Sequence, residues 1–95
     1  MSEYRILEIC ARAFDVKPAD IKSKRRQRKI TNARKAYSYA CWTFGITQVD
    51  IAATLNCNRS YISYAVRSVR DWKDNPSYTT EASRLANALR NIVQS

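Results

Sequence analysis

Apolar residues recur along this chain at helical spacing, and no stretch alternates with the period of two that marks a strand. In "EYRILEICARAF", Ile6, Ile9, Cys10, Ala13 and Phe14 fall at i, i+3, i+4, i+7 and i+8 with Leu7 beside them, which predicts a first helix. "VKPADIKS" follows, where Pro18 and Ile21 predict a short second helix. Farther on, Ala33, Ala36, Tyr37, Ala40, Cys41 and Phe44 predict a long third helix, capped at Thr31 or Asn32 and stopped at Gly45. Arg34, Ser38 and Trp42 lie on another side of it.

"TQVDIAATL" predicts a fourth helix, with Thr47 and Asp50 at capping-box spacing and Val49, Ile51, Ala52 and Leu55 as its apolar positions. After the short turn "NCN", Ile62, Ala65, Val66, Val69 and Trp72 form the inner stripe of a fifth, with Asn58 as N-cap. Pro76 closes that segment, and "TTEASRLANALRNIV" predicts a sixth, with Thr79 or Thr80 as cap and Glu81 in the first turn. Its expected core face is Ala82, Leu85, Ala86, Leu89, Ile92 and Val93. The expectation is an all-α fold of about six helices, and residues 1–95 leave room for a single domain.

Within that pattern, residues 47–74 have the layout of a helix-turn-helix. Ala52 and Ala53 let a partner helix cross closely, Cys57 turns inward in the tight connection, and Ile62 and Val66 face back toward the first helix of the pair. When such a second helix enters a major groove, its N-terminal residues reach the base edges. Here those are Asn58, Arg59, Ser60 and Ser63, with Tyr61 and Tyr64 alongside, and Arg59 is the residue expected to fork onto guanine. Arg67 and Arg70, farther along, and Thr47 and Gln48, at the start of the pair, are expected on the phosphate backbone.

Charge agrees with this reading. Seventeen Lys and Arg against eight Asp and Glu give a net charge of +9, the footprint of a polyanion binder. Eight of those bases fall within residues 22–35, which hold no acid; the run "SKRRQRK" alone carries five. The chain has no His and one Gly, which excludes Ser-His or Cys-His nucleophiles and any glycine-rich phosphate loop, so neither catalysis nor a cofactor is expected. Cys10, Cys41 and Cys57 are odd in number and widely spaced, as small hydrophobes in a reducing compartment are, and no metal is expected. No apolar run has the length of a membrane span, and Glu3 and Glu8 occupy the place of a leader's basic end, so a cytoplasmic protein without a membrane or small-molecule partner is expected.

"ADIKSKRRQRKITNARKAYSYA" and "DIAATLNCNRSYISYAVRSV" together resemble the C-terminal DNA-binding domain of DnaA, the bacterial replication initiator, which has a Trp-repressor-like helix-turn-helix. The resemblance runs from about Ile6 to Ile92. It implies double-stranded DNA as partner, with Arg26 inserted into the minor groove, Lys24, Arg25 and Arg28 on the backbone beside it, and Arg34 on phosphate. Lys29, in the same run, joins that backbone set. A minor-groove arginine favours an A·T-rich element, where the groove is narrow and its potential most negative.

The family's signature Arg, Asp, His, Thr, Thr reads Cys57, Asn58, Arg59, Ser60, Tyr61 here; Trp42 stands where the family has lysine and Val49 where it has proline. The ATPase module of full-length initiators is absent from these 95 residues. The expectation is therefore a stand-alone regulator of transcription or replication with its own base-reading set, monomer favoured over homodimer. The alternative is an interaction module for an acidic partner in the replication or transcription machinery.

Overall fold

The computed structural model describes residues 2–94, which form six α-helices: α1 (Glu3–Ala13), α2 (Pro18–Lys22), α3 (Arg28–Thr43), α4 (Gln48–Leu55), α5 (Arg59–Trp72) and α6 (Thr79–Gln94). A single 3-10 turn, Pro76–Tyr78, joins the last two, and there is no strand among the described residues. The long α3 is the axis of the fold. It packs most extensively on α5 and also meets α1, α2, α4 and α6.

Around α3 the apolar stripes close into one core. Ile6, Cys10 and Phe14 from α1 and its end, Ala36, Tyr37 and Cys41 from α3, Ile51 and Leu55 from α4, and Ile62 and Trp72 from α5 are all buried in it. Packing on this scale sets the helix geometry, because isolated helices of these lengths are marginal in water. Thr54 Oγ1 donates to Glu3 Oε2 at 3.0 Å, tying α4 to the first turn of α1.

Three helices stop in the same way. After α1, α3 and α4 come Asp15 (φ 56°), Gly45 (φ 92°) and Asn56 (φ 51°), each left-handed. Each is followed by a 6→1 bond to the helix: Val16 N to Ala11 O at 2.9 Å, Ile46 N to Cys41 O at 3.0 Å and Cys57 N to Ala52 O at 3.0 Å. These are Schellman turns, for which Gly is the easiest residue and Asn and Asp the next. Gly45 was expected as a stop; Asp15 and Asn56 do the same work with polar side chains.

Four expectations change. The third helix begins at Arg28, with Gln27 as cap, because Ile30, only 3% exposed, carries the buried stripe one turn upstream of Ala33. Asn58 stands at the N-cap of α5 but makes no side-chain capping bond. The final helix is launched by Asn75, whose side chain accepts from Ser77 N at 3.0 Å ahead of Pro76, while Thr79 Oγ1 donates back to Pro76 O. Lastly, α6 is rotated: Ala88 and Ile92 are its buried residues, whereas Ala86 and Val93 are exposed and Ala82, Leu85 and Leu89 half-buried. Its packing on α1 selects that arc, and Arg84 Nη1 fixes it by donating to Ala13 O, an end carbonyl of α1, at 3.0 Å.

Candidate nucleic-acid interface

The helix-turn-helix is α4, the Asn56 turn and α5. Thr47 begins it as a true N-cap, its hydroxyl accepting from Asp50 N at 3.1 Å. Ser63 Oγ donates to Gln48 Oε1 at 2.8 Å, so the start of α4 is fastened to the second turn of α5. Both residues were expected to touch DNA; the structure joins them to each other.

Residues 23–27 connect α2 to α3 without helical structure and carry Lys24, Arg25 and Arg26 into solvent. This loop is held from two sides. Arg34, half-buried on α3, donates Nε to Ile21 O at 2.8 Å and Nη2 to Ser23 O at 2.7 Å, with further contacts to Arg25 O at 3.1 Å and Asp20 O at 3.3 Å. Its cation thus sits on the C-terminal carbonyls of α2, where the helix dipole favours positive charge. From the other side, Lys24 Nζ donates to Asn56 O in the helix-turn-helix turn.

Between loop and helix-turn-helix lies a cleft of about 420 Å³. Lys24, Arg26, Thr31 and Arg34 line one side of it, and Cys57 and Tyr61 the other. The Tyr61 hydroxyl is buried beside the Arg34 guanidinium; that burial pushes the phenol's pKa up against the pull of the cation. Burial likewise raises the Cys57 thiol, which is only half turned inward. Tyr61 is therefore a wall of the cleft.

The outward face of α5 holds Asn58, Arg59 and Ser60 in its cap and first turn, then Tyr64 and Arg67, all exposed. Tyr64 lies under Lys35, whose Nζ is 4.9 Å from the ring centre and 3.4 Å from the hydroxyl. Hydrogen bonding to Ser68 and then Lys35 lowers that phenol's pKa. Arg70 stacks over Trp42 at 4.9 Å, and Arg28 over Tyr78 at 5.5 Å. Lys29 pairs with Asp15 at 2.9 Å, holding that carboxyl below its usual range, and Arg25 stands 3.9 Å from Asp20.

The expected residues thus serve in different capacities. Arg26, Arg59, Ser60 and Arg67 are exposed with no polar partner of their own among the described residues, while Lys24, Arg34, Gln48 and Ser63 hold the parts in place. Sequence reasoning missed Lys35 and Thr31. Thr31, Lys35 and Trp42 recur at i, i+4 and i+11 beside Arg34, a spacing that marks the side of α3 turned to α5.

Among the described residues no helix is long and apolar enough to cross a membrane, and no group of His, Cys, Asp and Glu is placed to hold a metal ion. No curated protein matches the chain. The family model of the bacterial dnaA protein helix-turn-helix matches residues 4–69, which takes in the basic loop, α3, α4 and most of α5. With more than half its length matched and the helix-turn-helix built as described, the chain belongs to the bacterial DnaA helix-turn-helix family, whose domain binds double-stranded DNA.

Proposed function

We propose that this protein is a sequence-selective regulator of transcription or replication that grips duplex DNA with two arms, as a monomer. The N-terminal turn of α5 enters the major groove, where Arg59 forks onto guanine and Ser60 adds a hydrogen bond. Arg26 enters the adjacent minor groove over an A·T-rich segment. One backbone strand separates the two grooves, and it passes through the cleft lined by Lys24, Thr31, Arg34 and Tyr61. Arg25, Arg28, Arg67 and Arg70 meet flanking phosphates.

The observation that carries this reading is the bond from Lys24 Nζ to Asn56 O, which fixes the basic loop against the reading helix before any ligand arrives. Shape supports it as well, since the cleft is open and flanked by cations on the loop side.

Binding-site selection followed by fluorescence titration on selected and scrambled duplexes tests it. Arg59→Ala is expected to erase about 1–3 kcal/mol of discrimination between them. Arg26→Ala is expected to weaken binding most on duplexes with an A·T-rich flank. Equal affinity for both duplexes, unchanged by Arg59→Ala, defeats sequence reading; a loss from Arg26→Ala that is uniform across sequences makes the loop a phosphate clamp only.

A further inference from the structure

A second groove of about 550 Å³ lies at the other end of α5, between its last turns and α6. That volume falls within the roughly 300–1,000 Å³ of ordinary ligand pockets. Tyr39, Val69 and Trp72 form one wall, and Ala82, Leu85 and Leu89 the other. The apolar surface continues along α6: Ala82, Leu85, Ala86, Leu89 and Val93 recur at i, i+3, i+4, i+7 and i+11, and Val93 is 69% exposed. The core of the domain fully buries the neighbouring arc with Ala88 and Ile92, while Ala82, Leu85 and Leu89 pack on it with only one side and Ala86 and Val93 are exposed. An apolar trough beside an apolar helical stripe is the geometry that receives the face of an amphipathic helix.

Charge selects the occupant. Arg70, held over Trp42, and Lys73 stand on the α5 rim, and exposed Arg90 lies one turn beyond Ala86 on α6. No acid lines the groove among the described residues. A second copy of this chain would bring the same cations to a molecule already at +9, and like charges across an interface suppress that pairing. Single-stranded nucleic acid needs open aromatic faces. Trp72 offers none: it is 2% exposed, with one ring face stacked on Tyr78 at 6.0 Å and 8°. We propose that the groove between α5 and α6 takes the apolar face of an acidic amphipathic helix from a partner protein. The base-reading residues Asn58, Arg59 and Ser60 lie at the opposite end of α5, and Arg70 is the one cation that the groove shares with the proposed phosphate contacts.

The test uses the full chain, labelled with nitrogen-15, and two synthetic helical peptides with leucine at i, i+3, i+4 and i+7. One carries glutamate at its other positions and the second carries lysine there. The glutamate peptide is expected to shift the amides of residues 69–73 and 82–93, and the lysine peptide to bind on the order of tenfold more weakly or not at all. Lys73→Glu and, separately, Ala86→Gln are expected to weaken the glutamate peptide by about tenfold, with Ala86→Gln leaving helicity and duplex affinity unchanged. Equal binding of both peptides, or no movement of the groove amides, overturns the proposal. So does a dimer in light scattering that Ala86→Gln dissociates, which makes the groove a self-association face, or displacement of the same amides by oligothymidylate, which makes it a nucleic-acid groove.

Discussion

Arg34→Ala is expected to destabilise the domain by about 3 kcal/mol, one of the largest losses available outside its apolar core. The Arg34 guanidinium serves four main-chain carbonyls, those of Asp20, Ile21, Ser23 and Arg25. Hydrogen bonds to a charged group contribute roughly 1.5–3 kcal/mol each in deletion experiments, but three of these share one nitrogen, so the sum is well below four independent bonds. For a domain of this size about 3 kcal/mol lowers Tm by roughly 12–24 °C. Arg34→Lys is expected to recover less than half of the loss, because an ammonium lacks the planar fork that reaches Ile21 O and Ser23 O together. Denaturant melts of the three proteins check this; a loss under about 0.5 kcal/mol for the alanine variant shows that the loop stands without Arg34.

The affinity for duplex DNA is expected to fall by about three powers of ten as salt rises from roughly 50 to 200 mM. In the proposed mode the exposed cations that meet DNA are Arg25, Arg26, Arg28, Arg67 and Arg70 on phosphate or in the minor groove, Arg59 in the major groove and Lys24 beside its bond to Asn56, while Lys29 is committed to Asp15 and Arg34 to the loop. Five to seven phosphate contacts at about 0.9 counterion each give a slope of log K against log salt of roughly −4.5 to −6. Titrations at several salt concentrations read the slope directly. A slope shallower than about −2 removes the broad electrostatic contact that the two-arm mode requires.

The sequence made some of this visible and hid the rest for definable reasons. Helices α1, α3 and α5 announce themselves because their apolar residues each match one face: Ile6, Cys10 and Phe14, or Ile62, Val66 and Val69, are buried together, whereas in α4 Ile51, Ala52 and Leu55 are buried and Val49, expected with them, is 58% exposed. The helix-turn-helix was legible through Ala52 and Ile62 for the same reason. The role of Arg34 was not, because its acceptors are carbonyls, which every residue possesses and no residue type signals. The stops at Asp15 and Asn56 escaped notice since a left-handed polar residue looks like any other loop residue. In α6 the Ala and Leu positions satisfy two adjacent arcs equally, and only contact with α1 decides which is buried. For the site, residue types pointed to polyanion binding, but not to the division between Arg59, which is exposed, and Ser63, which is spent on Gln48.

The fastening of Lys24 to Asn56 also makes the molecule a gauge of length. A loop free to swing would tolerate DNA elements at variable separation, whereas a loop pinned to the turn between α4 and α5 holds both arms at one distance and one angle. On duplex DNA each inserted base pair adds about 3.4 Å of rise along a strand and turns the next groove around the axis. In the proposed two-arm mode, two DNA elements must therefore keep a fixed phase, so that their spacing carries as much information as their letters.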